Sequence, residues 1–422
     1  MRFTLHGARL VDALTEFPES DLTVQDRQIL TVGRHPGTGD SRDEGGQDID
    51  AGDSIIVPGF IDVHTHGGGG YNLHTTSIEE ILSFTRWAPE TGVTSFLVGV
   101  VGTPGALPEP QLHAAVAAIE LASGHAEPLG IHLEGPYINV ERRGAHLPSW
   151  LRMPDDLETE RLLELTGGRL RLIALAPELP GAATIISRLV DAGVTVSIGH
   201  TDATYEQALE SIRLGVTHAT HCCNAMRPLH HRYPGPLGAI AQSPHVYGEL
   251  IADGIHVHPA MMRIVVKFLG VERTIVITDA LAAAGIGDAN FEFAGQPAQV
   301  IRGVARLADG TITGSVLRMD QALRNILDIT GVSLMEAVGM LTWNPARSIH
   351  VDERKGLLQA GYDADLLVLN RELELQATIC RGEVCYATPE WQARLGAFHS
   401  PAQAVKAPTP SRRVRNSGSS LK

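Results

Sequence analysis

Cysteine is scarce in this chain, with four in 422 residues. Cys222 and Cys223 are neighbours, which rarely bridge each other, and Cys380 and Cys385 have no ligand-like residues around them. A disulfide framework is therefore excluded, and reduced thiols in a cytoplasmic protein are expected. Long apolar runs are missing too. No stretch reaches the roughly 20 uncharged apolar residues that a membrane-spanning helix needs. The opening "MRFTLHGARLVDALTEF" lacks a basic segment followed by a continuous apolar one, so no signal peptide is expected. Positive charge is in deficit: 34 Lys and Arg against 48 Asp and Glu leave a formal net charge of −14. A phosphate backbone would be repelled over most of such a surface, which argues against nucleic acid as a partner. A small phosphorylated ligand remains compatible, because it needs only a local cluster of basic groups and backbone N–H.

What the chain does have is alternation. "IIVPGFIDVHTH", "GVTSFLVGV", "PLGIHLEGP", "RLIALAPE", "VTVSIGH", "THATHCCNAM", "VYGELIADG" and "TIVITDA" are short, apolar, β-rich runs. Segments with helical periodicity, such as "SIEEILSFTRWAPET" and "TYEQALESIRLG", lie between them. Strands alternating with helices imply parallel βα units, and eight of them make a closed (β/α)8 TIM-like barrel with its active site at the strand C-termini. The ends differ in style. Pieces such as "LTVQDRQILTVG" and "GYDADLLVLNRELELQATICRGEVCY" suggest a small β-sandwich built from both termini, residues 1–56 plus 356–395. The barrel then spans 57–355, and the Pro/Ser-rich basic tail over 396–422 is expected to be disordered. "TWNPARSI" reads as a helix start, with Asn344 as N-cap and Pro345 at the first helical position.

Histidine is abundant at 19, so position must select among them. His6, His35, His74, His113, His125 and His399 fall away from strand ends and read as surface or core residues. His64 and His66 alternate onto one face of the first strand, and the glycines behind them keep the adjoining loop small. Alone, such a pair is weak evidence. Glu134 ends the third strand, His200 the fifth, His221 the sixth and Asp279 the eighth. Each taken singly is as well explained as a hydrogen-bonded polar cap. Together, imidazoles and carboxylates converging on one rim describe a divalent transition-metal site, zinc first among the candidates, with iron, manganese or cobalt as alternatives.

These same residues carry a resemblance. "PGFIDVHTH" is similar to the first-strand motif of the amidohydrolase superfamily. "HLEGP", "SIGHTDAT", "THATHCCNAM", "IADGIHV" and "ITDA" together resemble the N-acetylglucosamine-6-phosphate deacetylases, over residues 1 to about 385. The resemblance implies that Glu134, His200 and His221 hold a principal metal. His64 and His66 would hold a second, with Glu134 bridging. Asp279 would act as base and then acid, and His146, in "RRGAH", would steady the developing oxyanion. Asn224, Ala225 and His256 would meet a substrate phosphate. Arg232 would join them, contributed across a homodimer interface. The substrate implied is a small sugar phosphate, deacetylated to an amino sugar and acetate. One position departs from the pattern: Tyr233 stands where relatives usually have glutamate. Cys222 and Cys223 read as buried small residues rather than thiolate ligands. Ser315, Leu317 and Met319 fit either a segment near the sugar or a core-facing helix start. The competing readings are a deacetylase of the galactosamine epimer, an amidohydrolase of a non-phosphorylated amide, and a catalytically silent sugar-phosphate binder.

Overall fold

The computed structural model describes residues 2–33 and 46–396; His35, His399 and the tail beyond Gly396 lie outside them. Eight strands form one parallel sheet in sequence order: β1 (Phe60–Asp62), β2 (Val93–Val101), β3 (Glu127–Glu134), β4 (Leu170–Leu175), β5 (Thr195–Ile198), β6 (His218–Ala219), β7 (Tyr247–Ile251) and β8 (Thr274–Ile277). This is the expected (β/α)8 barrel. β2 is buried at every position, as befits a parallel strand covered on both faces. The seam between β8 and β1 is bridged just past the strand ends, where Asp279 N–H donates to His64 O (2.9 Å) and His66 N–H to Ala280 O (2.8 Å). Below it, Thr278 Oγ1 donates to Asp62 Oδ2 at 2.6 Å.

A separate eight-stranded sheet is assembled from Arg2–Val11, Glu16–Gln25, Gln28–Gly33, Gln47–Asp50, Ile55–Pro58, Leu366–Leu369, Leu375–Cys380 and Glu383–Ala387. Its core includes Phe3, Leu22, Ile56, Leu366 and Trp391. The run "IIVPGFIDVHTH", expected as one strand, is in fact two. Ile55–Pro58 pairs with Leu366–Leu369 in this sheet, whereas Phe60–Asp62 pairs with β2. Gly59 between them passes so close to Thr94 that a Cβ there would lie 2.1 Å from Oγ1.

The helices follow local signals. Ser77 caps Ile78–Trp87, and Thr204 with Gln207 forms a capping box at the start of Tyr205–Arg213. The expectation for "TWNPARSI" is corrected. The helix runs Trp343–Ser348 with Thr342 as N-cap, and Asn344 lies inside it. Its side-chain amide donates instead to Val271 O (2.7 Å) and Thr274 O (2.8 Å), tying the helix to the base of β8. Between β8 and the helix Met319–Thr330 sits a three-stranded antiparallel sheet, Asn290–Phe293, Gln296–Ile301 and Val304–Leu307, which the alternation of strands and helices does not announce.

Candidate active site

The rim of the barrel brings the expected residues together. Glu134, His200 and His221 place a ligand atom each within 4.8 Å of one another, and His64, His66 and Asp279 form a second such group. Glu134 joins the two. Its Oε1 lies 3.0 Å from His200 Nε2 and 3.2 Å from His221 Nε2, and its Oε2 lies 3.4 Å from His66 Nε2. His66 Nε2 is in turn 3.3 Å from Asp279 Oδ1. His146 stands beside them, Nε2 3.2 Å from Glu134 Oε2. His200 (φ +47°), His221 (φ +26°) and Asp279 (φ +48°) all adopt the left-handed backbone region. Such conformations cost on the order of 1–3 kcal/mol each and concentrate at functional sites. Here the sharp turn at each strand end aims the side chain inward.

Donor chemistry tests whether a cation fits. His200 Nδ1–H donates to Arg142 O at 2.8 Å, which leaves a lone pair on Nε2 facing His221 Nε2 at 3.1 Å. His64 Nδ1–H donates to Glu249 Oε2 at 2.8 Å, and the buried Nε2 opposite has no hydrogen-bond partner among the described residues. Imidazoles held through Nδ1 with Nε2 turned toward shared carboxylates are arranged as metal ligands are. The electrostatics agree. Burial works against the charged form of His64, yet Glu249, Asp279 and Glu134 push its pKa up to about 10. His66 is likewise lifted, against burial, to about 9 by Asp279 and Glu134. Burial opposes ionisation of Glu134, but His146, His200 and His221 hold its pKa well below the ordinary carboxylate value. The carboxylates thus call for positive charge at the centre, and a divalent cation would supply it in place of protons.

The surrounding cavity, about 190 Å³, is lined by Glu134, His200, His221, Asp279, Asn224, Ala225, His256, Phe293 and Thr313 among others. His256 Nδ1–H donates to Asp253 Oδ2 at 2.6 Å. Burial disfavours its charge, but Asp253 outweighs that and raises its pKa. Arg232 does not reach this cavity within one chain; it is exposed, beside Tyr233, whose ring stacks on His230 at 5.5 Å. Cys222 is fully buried, as expected. Ser315 is a strut: its N–H donates to Asp279 O (2.7 Å), its hydroxyl to Thr278 O, and Met319 starts a helix in the core. Glu249, His132 and Phe293 were not singled out by the sequence. His132 sits two residues below Glu134 on the same face of β3, fully buried, its ring 4.4 Å from that of His64. Strand parity alone could have found it. A larger cavity of about 700 Å³ opens near Gln28, Glu127, Arg354 and Asp363. There Arg354 pairs with Glu127 and Asp363, and among the described residues no metal-ligand group forms at this cavity.

Fold and site together define a (β/α)8 hydrolase-type barrel whose strand C-termini gather histidines and carboxylates in two groups that could hold a divalent cation. The family model for the amidohydrolase family matches residues 55–385, and the chain belongs to that family, whose enzymes typically depend on a divalent metal. The chain is similar to the N-acetylglucosamine-6-phosphate deacetylase of Bacillus subtilis, 36% identical over 342 residues, covering 80% of this chain and 86% of the relative. It is also 33% identical to the N-acetylgalactosamine-6-phosphate deacetylase of Escherichia coli, over 91% of this chain and 99% of that protein. Among solved structures, a mutant N-acetyl-D-glucosamine-6-phosphate deacetylase from Mycobacterium smegmatis in complex with N-acetyl-D-glucosamine-6-phosphate superposes with a TM-score of 0.84. It is 33% identical, over 92% of this chain and 99% of that one.

Proposed function

We propose that this chain hydrolyses the acetamide of N-acetylglucosamine 6-phosphate, releasing acetate and glucosamine 6-phosphate. The observation that carries the reading is the meeting, in one cavity, of the Glu134–His200–His221 group and Asp279 with Asn224, Ala225 and His256. A cation held by Glu134, His200 and His221, with His64 and His66 as ligands of a second, would lower the pKa of bound water and polarise the amide carbonyl. Asp279 takes the proton of the attacking water as oxygen bonds to the acyl carbon. It then returns that proton to the nitrogen as the C–N bond breaks. His146, whose Nε2 lies 3.2 Å from Glu134 Oε2, would steady the oxyanion. The phosphate end suits Asn224, the Ala225 backbone and a His256 whose positive form Asp253 favours. Zinc fits the nitrogen and carboxylate donors best. The reading extends to a cytoplasmic homodimer in which the exposed Arg232 reaches a neighbouring chain's phosphate site.

The likeness to an N-acetylgalactosamine-6-phosphate deacetylase keeps the epimer as a second substrate. The test measures acetate release from both 6-phosphates and from unphosphorylated N-acetylglucosamine, with metal content determined alongside. Fast release from the glucosamine compound alone supports the proposal. Equal rates with and without phosphate would remove the phosphate site, and no release from any of the three would end the reading.

A further inference from the structure

Glu249 lies in β7 with no exposed surface and belongs to neither donor group nor the cavity lining. A carboxylate so deep must be matched by donors to be tolerated. It has three, each from a residue near the cation centre. His64 Nδ1–H reaches Oε2 at 2.8 Å, His221 N–H reaches the same oxygen at 2.9 Å, and His218 Nε2–H reaches Oε1 at 3.0 Å. The first contact fixes the ring of His64 and leaves the partnerless Nε2 3.6 Å from both Glu134 Oε1 and Asp279 Oδ1. The second holds the backbone of His221 at its left-handed turn.

We infer that Glu249 is a positioning residue that makes His64 a cation ligand: it keeps the proton on Nδ1 and turns the Nε2 lone pair toward Glu134 and Asp279. The inference rests on the reading that His64, His66 and Asp279 hold a cation. An imidazole whose far nitrogen lacks an acceptor is free to rotate or to present the wrong nitrogen, and losing such a partner typically weakens metal binding about 10- to 100-fold.

The experiment is a titration of metal-stripped protein with cobalt(II) by equilibrium dialysis, comparing wild type, Glu249→Gln, His64→Ala and the double variant. Glu249→Gln is expected to weaken the cation held with His64 at least tenfold. In the His64→Ala background it should change cation affinity less than twofold, because it acts through that ring. Equal weakening with and without His64 would show a merely structural role and overturn the inference, as would an effect below twofold in the wild-type background. Unchanged binding in His64→Ala alone would instead overturn the underlying reading of that donor group. Should Glu249→Gln fail to fold, ring-nitrogen NMR of the zinc-loaded wild type decides the matter. His64 protonated on Nδ1 supports the inference, and His64 protonated on Nε2 refutes it.

Discussion

Asp279 shows how one residue serves fold and chemistry at once. Its N–H closes the barrel seam on His64 O, its carbonyl accepts from Ser315, and its carboxylate faces His66 at 3.3 Å. Burial opposes its ionisation, but His64 and His66 hold its pKa below the ordinary value and so favour the carboxylate form. Asp279→Asn keeps the shape and the backbone bonds while removing the base. Turnover should fall by about 10²- to 10⁴-fold, while cation bound by Glu134, His200 and His221 is retained; near-normal acetate release would exclude the role. The unpartnered His64 Nε2 leads to a second expectation. Stripping the cation with a chelator should lower the melting temperature, and returning zinc should restore it, because ligand at about 100 times its Kd stabilises by about 2.7 kcal/mol. An unchanged melting curve would argue that no cation is held. That these candidate ligands meet at one rim was legible in the sequence because strand parity and strand ends are one-dimensional features. Glu249 was not, since its meaning lies in three donors from the turn after β1, from β6 and from the turn after β6, which only the closed barrel brings together.

Elements rather than residues set the size of the site. Gly99 of β2 lets the His64–His66 turn pass, for a Cβ there would lie 2.0 Å from Thr65 O. Across the mouth, the sheet over residues 290–307 sets Phe293 against His66, with ring centroids 5.6 Å apart, and near Trp150 at 6.4 Å. Gln296 Nε2 ties that sheet to Ala145 O at 2.9 Å. The cavity it covers, about 190 Å³, is smaller than the roughly 300–1,000 Å³ usual for ligand pockets. Phe293→Ala should speed amide hydrogen exchange across 290–307, with little change in β2 or β3, and should lower kcat by admitting water. Exchange confined to its wild-type pattern would show that Phe293 does not pin this sheet. The eight barrel strands were legible because they are continuous apolar runs. These three were not read, although Ala294-Gly295 and Arg302-Gly303, all at positive φ, are the two-residue turns of tight hairpins. Their strands alternate exposed positions with buried or half-buried ones, and so lack the continuous apolar runs of the barrel.

At the scale of the whole molecule, the barrel is joined to the terminal sheet by a buried ion network that also gives it an acid sensitivity. Lys355, fully enclosed, reaches Asp365 (2.5 Å) and Asp363 (2.9 Å) beside the terminal sheet and Glu127 (2.7 Å) at the start of β3. Arg354 adds a second contact to Glu127 at 3.0 Å. This arrangement joins residues more than two hundred positions apart, so no local pattern could reveal it. Burial opposes the charge on Glu127, but Lys355 and Arg354 hold its pKa down to about 2 from 4.5. A carboxyl with a depressed folded-state pKa stabilises the fold above its unfolded value and loses that contribution as pH falls through the folded one. The shift from 4.5 to about 2 corresponds to about 3 kcal/mol, lost between those two pH values. Asp365 runs the other way, since burial raises its pKa despite Lys355, and acidification relieves part of its cost. The difference between wild type and Glu127→Gln isolates the first effect from the second. Denaturant unfolding should show wild type more stable by up to about 3 kcal/mol near neutral pH, with the gap closing as pH drops from 4.5 toward 2. A gap that stays constant over that window would mean that Glu127 contributes through packing rather than charge.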